Sequence, residues 1–173
     1  MNFVRVTRLG LALMLVGIAG ASGSTMPAPD AGGSWAEVSW PFLMDQWGTG
    51  QAFRCEGRDC DGEAQLFVRV KRGFCNCFEG VADDAEVDRL TDFEFLGGSP
   101  EPIGAGRAIR MGDLKGRMRS FAVDSGDASA RRAVSLILAK NCDALVATWI
   151  ANGAAADVKG PDVLPRTVLA NLP

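Results

Sequence analysis

Five cysteines, Cys55, Cys60, Cys75, Cys77 and Cys142, constrain this chain more than any other feature it carries. Four crowd between residues 55 and 77 as a C-x4-C and a C-x-C, and the fifth stands far downstream. In an oxidising compartment, cysteines in such numbers are read first as a disulfide framework. A Cys75–Cys77 bridge would close a very tight ring, easily reduced and a poor staple. Two frameworks follow. One joins Cys55 to Cys60 across a turn and adds one long bridge. The other sends two bridges from Cys55 and Cys60 to Cys75 and Cys77, leaving Cys142 alone, and it is the preferred one. Pairing of Cys142 with a cysteine of the "CNC" segment is a third option. Each bridge typically contributes about 2–4 kcal/mol.

The amino terminus supplies the compartment. Arg5 and Arg8 precede "LGLALMLVGIAG", an uncharged stretch of secretory length, and "AGASGS" carries Ala19 and Ala21 in A-x-A spacing. Residues 1–21 therefore read as a signal peptide, cleaved after Ala21, with Ser24 as second choice. Residues 22–34 read as a flexible tether and 35–173 as a single domain. Cleavage removes two arginines and no acid, which moves the formal charge from −3 to −5. No later stretch is long and apolar enough to span a bilayer. The expectation is a periplasmic or secreted monomer with no general attraction for nucleic acid.

Absences narrow the chemistry. The chain has no histidine, which excludes Ser-His-Asp and Cys-His catalysis and the common zinc and blue-copper sites. It has neither a C-x-x-C nor a C-x-x-C-H.

Periodicity predicts the elements. Trp40, Leu43, Met44 and Trp47 fall at i, i+3, i+4 and i+7, one stripe of a short helix with Pro41 in its first turn. "QAFRC" and "AQLFVRVKRGF" predict a hairpin, with Asp61-Gly62 in the turn. "VADDAEVDRLTD" predicts a helix capped by Asp83, with Glu86 three residues on. "FEFLGG" reads as a short strand. "GRAIRM" and "GRMRSFAVD" predict a second hairpin around Gly112-Asp113, and "RRAVSLILAK" a buried strand. Cys142, Leu145, Val146, Trp149 and Ile150 share a helical stripe capped by Asn141, which places Cys142 in a first turn as a buried thiol. "VLPRTVLANL" adds a terminal helical turn. The sum is an α+β fold, one mostly antiparallel sheet packed by helices on one face and stapled by disulfides.

Two charged groups stand out. Glu79, Asp83, Asp84, Glu86, Asp88 and Asp92 crowd one helical segment; without a D-x-D-x-D-G loop they read as a solvated helix rather than a hard-cation site. Lys115, Arg117 and Arg119 project from one face of a strand, as a charged solvent face or a grip for an anion. The aromatic segment around Trp40 and Trp47, with Arg117 and Arg119, is the binding surface to test. Its ligand would be a protein or a small anion. The competing reading is a copper-handling or thiol-active protein using Cys75 and Cys77, since paired thiolates suit Cu(I).

"AFRC-x4-C", "VRVKRGFCNC", "GVADDAEVDRL" and "AKNCDALVAT" together resemble a family of uncharacterised exported proteins of proteobacteria. The resemblance implies a periplasmic protein and brings no activity, substrate or catalytic residue. The segment order is also similar to the Mog1/PsbP-like α+β sandwich, which would not fix function. The expected role is non-enzymatic: a binding or accessory domain without a cofactor.

Overall fold

The chain builds one sheet from two antiparallel runs that meet at its centre. The computed structural model describes residues 35–57, 62–73, 77–124 and 131–152. β1 (Trp35–Val38) lies beside β2 (Gln51–Gly57), which turns back into β3 (Gly62–Lys71). α1 (Asp84–Leu90) and a 3-10 turn over Phe93–Phe95 follow. Then come β4 (Ser99–Pro102), β5 (Arg107–Met111), β6 (Leu114–Asp124), β7 (Arg131–Lys140) and β8 (Asp143–Asn152). β8 returns to pair with β3, so the order is β1-β2-β3-β8-β7-β6-β4, with β5 also on β6. Every pairing is antiparallel.

β4 and β5 are one edge strand interrupted by a bulge. Pro102 pairs with Phe121 and Arg107 with Met118, so residues 103–106 stand opposite only 119 and 120. Pro100 and Pro102 suit that edge, where a missing N–H costs no ladder bond.

This architecture overturns the expected α+β fold and with it the Mog1/PsbP-like analogy. Among the described residues there is a single α-helix of seven residues, and the rest is mostly strand. The two amphipathic helices are absent for different reasons. The stripe through Cys142–Ile150 is β8, whose residues 144–151 are buried whichever way they point. A strand covered on both faces reads as a continuous apolar run, and periodicity alone does not separate it from helix. Lys140 pairs with Asp143, so Asn141 and Cys142 form a two-residue hairpin loop. Asn141 sits at φ 56°, a left-handed conformation suited to a tight turn rather than a helix cap. The stripe through Trp40–Trp47 fails because its residues part company. Leu43 and Met44 point to solvent while Trp40 and Phe42 pack inward, and Asp45 bridges to Gly48 in a tight turn. "FEFLGG" forms the 3-10 turn and not a strand.

The other elements expected between β2 and β7 form as the sequence suggests. Both hairpins form where expected, β7 is the buried strand, and Asp83 caps α1 by accepting from the Glu86 amide at 2.9 Å. On one sheet face Phe53, Leu66, Val68, Leu136, Leu138, Leu145 and Trp149 form an apolar layer. The other face carries α1. There Val87 and Leu90 pack on Ile137 and Val146, while Phe67, Leu96 and Phe121 pack at the far end. No helix of the described residues is long and apolar enough to cross a membrane.

One disulfide ties this frame, Cys77 to Cys142 across 65 residues. Closing a loop of that length contributes about 4 kcal/mol in the chain-entropy picture. The bridge replaces the framework that left Cys142 alone. Geometry favoured it once Asn141-Cys142 became a turn, because a turn brings Cys142 to the sheet end where β3 leads into α1. Cys55 is disulfide-bonded as well, to a residue outside the described set. The leader, its cleavage points, the tether, the terminal turn, Cys60 and Cys75 also lie outside the described residues.

Candidate functional site

The helix-bearing face holds a layer of charge between two apolar clusters. Strand alternation puts Arg69 and Lys71 of β3 on this face, and Arg117 and Arg119 of β6 as well. Arg69 and Lys71 are buried, which is unusual for cations unless they are paired. Asp92, buried at the end of the α1 segment, pairs with both. It accepts from Arg69 Nε at 2.7 Å and from Arg69 Nη2, and lies 2.6 Å from Lys71 Nζ. Lys71 Nζ also donates to the Leu90 carbonyl at 2.9 Å. The free arm of Arg69, Nη1, reaches Asp45 at 2.7 Å, and the guanidinium carbon sits 4.8 Å from the Phe95 ring centroid.

α1 supplies the partners for the other end. Arg117 Nε donates to Asp84 Oδ1 at 2.5 Å, and Arg119 Nη1 donates to Asp88 Oδ2. Asp84 also accepts from the Gly106 amide at 3.0 Å, which pins the β4–β5 bulge to the helix. A Cβ on Gly106 would collide with that carboxylate. Asp84, Asp88 and Asp92 of the acidic segment and Arg117 and Arg119 of the basic strip therefore belong to one layer, while Lys115 stays exposed and Glu86 pairs with Arg89 instead. Four cations, Arg69, Lys71, Arg117 and Arg119, meet four acids, Asp45, Asp84, Asp88 and Asp92.

The ionisations follow these contacts. Burial works to raise the Asp45 carboxyl, but hydrogen bonds from Arg69 and the Trp47 amide outweigh it and hold it below its ordinary value. The Gly106 amide, then Arg117, lowers Asp84. Burial opposes the charge on Arg69, yet Asp92 and Asp45 raise it overall. A layer matched in this way offers no isolated base or nucleophile. Arg119 Nε has no hydrogen-bond partner, but it is buried and faces no ligand arriving from solvent.

The residues singled out in the sequence lie at two separate places on this face. Trp40 packs edge-on against Phe42, Phe67 and Phe95 with centroids at 5.4, 6.0 and 5.3 Å. It covers β3, whereas Arg117 and Arg119 lie on β6. Three strand spacings separate them, about 14 Å. Trp47 is half-buried in the same loop as Trp40. The Cys77 sulfur is bonded to Cys142, so a copper site on Cys75 and Cys77 would first require that bridge to open. Among the described residues no group of three or more Cys, Asp or Glu is placed to hold a metal ion.

What sequence reasoning missed is an apolar tip. Leu43 is 93 % exposed and Met44 75 % exposed, side by side. Phe42 before them stacks on Phe95 at 4.0 Å, and Asp45 after them is held by Arg69. The signal was present in "PFLMD": three large apolar side chains in a row, Phe42, Leu43 and Met44, cannot all face a core from one short loop. Comparison with known proteins finds no family model and no curated protein that matches this chain.

Proposed function

We propose that this chain is an exported, disulfide-stabilised, non-enzymatic binding domain, with Leu43 and Met44 as its contact residues for a protein partner. The observation that carries this is the tip itself. Two large apolar side chains stand in water on a loop fixed at both flanks, by the Trp40/Phe42 aromatic packing and by the Asp45–Arg69 ion pair. A fixed apolar pair loses little entropy when it is covered, which is what a contact anchor requires. The charge layer argues the same way, since its acids and bases pair with one another. The disulfides and the leader motif support an oxidising compartment outside the cytoplasm.

The test is a photo-crosslinking residue placed at Leu43 in the full-length protein, expressed in its own envelope, with the same residue at exposed Arg110 as the control. A discrete adduct from position 43, absent from 110 and lost when Met44→Ser is added, is expected. Identical patterns from both positions would refute the reading. Leu43→Ser with Met44→Ser should leave stability within about 0.5 kcal/mol of wild type, because neither side chain is buried.

A further inference from the structure

We propose that the Cys77–Cys142 bridge is a thiol–disulfide exchange site, opened by an external dithiol that attacks the Cys77 sulfur. The two bonded positions with described surroundings differ sharply. Cys55 is fully buried in β2, within the apolar layer. A thiolate reaches it only if the sheet opens. The second bridge lies at the rim of the sheet, joining an exposed turn residue, Cys77, to half-buried Cys142 in the β7–β8 loop. Exchange requires the attacking sulfur to approach the sulfur it strikes, so within this bridge access selects the atom. Here access selects Cys77. Phe78 beside it is 99 % exposed and gives the carrier of the dithiol an apolar side chain to rest on.

The step balances without any further reagent. The attacking thiolate bonds to Cys77 Sγ while the Cys77–Cys142 bond breaks, and the electron pair leaves on Cys142, which takes a proton from water. The second thiolate of the dithiol then attacks its own sulfur in the mixed disulfide and releases Cys77 as a thiolate. The dithiol loses two electrons and the bridge gains them.

Opening this bridge need not open the fold. The β7–β8 ladder runs from Arg131↔Asn152 to Lys140↔Asp143 without it. The start of the α1 segment stays attached through Val81 and Val87 against Ile137 and Val146. The Gly73 amide also donates to Asp143 at 2.9 Å, a second tie at the same corner. Exchange would release only the turn around Cys77 and Phe78.

The experiment uses the native, oxidised full chain and dithiothreitol. Samples are quenched with acid at intervals, alkylated and mapped by mass spectrometry, with thiols alkylated before reductant as background and circular dichroism in parallel. Cys77 and Cys142 should become alkylated together, with the β-sheet signal unchanged. Glutathione in place of dithiothreitol should be recovered on Cys77, with Cys142 as the thiol. Resistance of the Cys77–Cys142 bridge to dithiothreitol in the folded protein would overturn the proposal. So would opening of the Cys77–Cys142 bridge only in step with loss of sheet, or recovery of glutathione on Cys142.

Discussion

Replacing Asp92 by Asn is the most informative single change in the charge layer. Asp92 pairs with both buried cations, and its side chain is 4 % exposed against 3 % for Arg69 and 6 % for Lys71. An amide there keeps the shape and loses the charge. Its oxygen can accept from one cation, while its NH2 group turns a donor toward the other. Arg69 keeps Asp45, which is partly exposed, and Lys71 keeps the Leu90 carbonyl but loses the carboxylate that lay 2.6 Å from its Nζ. Removing one partner from a buried charge group costs about 3–5 kcal/mol, because the survivors remain desolvated. That is a large share of a total stability of about 5–15 kcal/mol. Urea unfolding followed by tryptophan fluorescence measures it. With a slope of about 2 kcal/mol per M, the midpoint should fall by about 2 M at unchanged slope. Glu94→Gln is the control, since Glu94 is largely exposed and 4.0 Å from Arg69. A loss under about 1 kcal/mol for Asp92→Asn would refute the account of this layer as a closed buried network. A combined Arg69→Met, Lys71→Met, Asp92→Leu protein should be more stable than Asp92→Asn alone, because it removes every charge that the single change strands.

Acid should unlock the layer from its partly exposed acids. Asp45 and Asp84 have folded pKa values below their ordinary ones, so their contribution is complete above the unfolded value of about 3.9 and is lost as pH falls through the folded value. The urea midpoint should therefore drop below about pH 4, and less steeply with Asp45→Asn and Asp84→Asn combined; an unchanged acid limb would contradict this. At the β7–β8 turn, Asn141→Ala should cost about 1 kcal/mol and Asn141→Gly much less, since φ 56° lies in the left-handed region that Asn and Gly tolerate and Ala does not. Equal losses in a thermal melt of the two variants would mean that turn geometry is not the cause.

The sheet was legible where one of its faces differs in polarity from the other. Leu66, Val68 and Val70 alternate with Phe67, Arg69 and Lys71, and that alternation placed β3 correctly before any pairing was known. β8 was not legible, because its polar residues are too few to mark a face: Thr148 is buried, and so are its neighbours Ala147 and Trp149. The helical spacing from Cys142 to Ile150 is a coincidence that any long apolar run permits. What distinguishes the strand is Asn141, whose place in the β7–β8 turn depends on the Lys140↔Asp143 pairing and therefore on tertiary structure.

The charge layer shows a different limit. Taken singly, an acidic helix and a basic strand face each favour solvent as partner, and both readings are sound for an isolated element. Their spacing, however, is matched. Asp84 and Asp88 are one helical turn apart on α1, and Arg117 and Arg119 are one strand period apart on β6, so the two rows meet in register. Only the packing of α1 on β6 and β7 turns two solvated faces into one shared interior. The consequence reaches function. Charges that close on each other are withdrawn from ligands, so the arginine strip is not what the outside of this protein presents there. The proposed contact residues differ in this respect, because the fold leaves Leu43 and Met44 in water while fixing their neighbours Phe42 and Asp45.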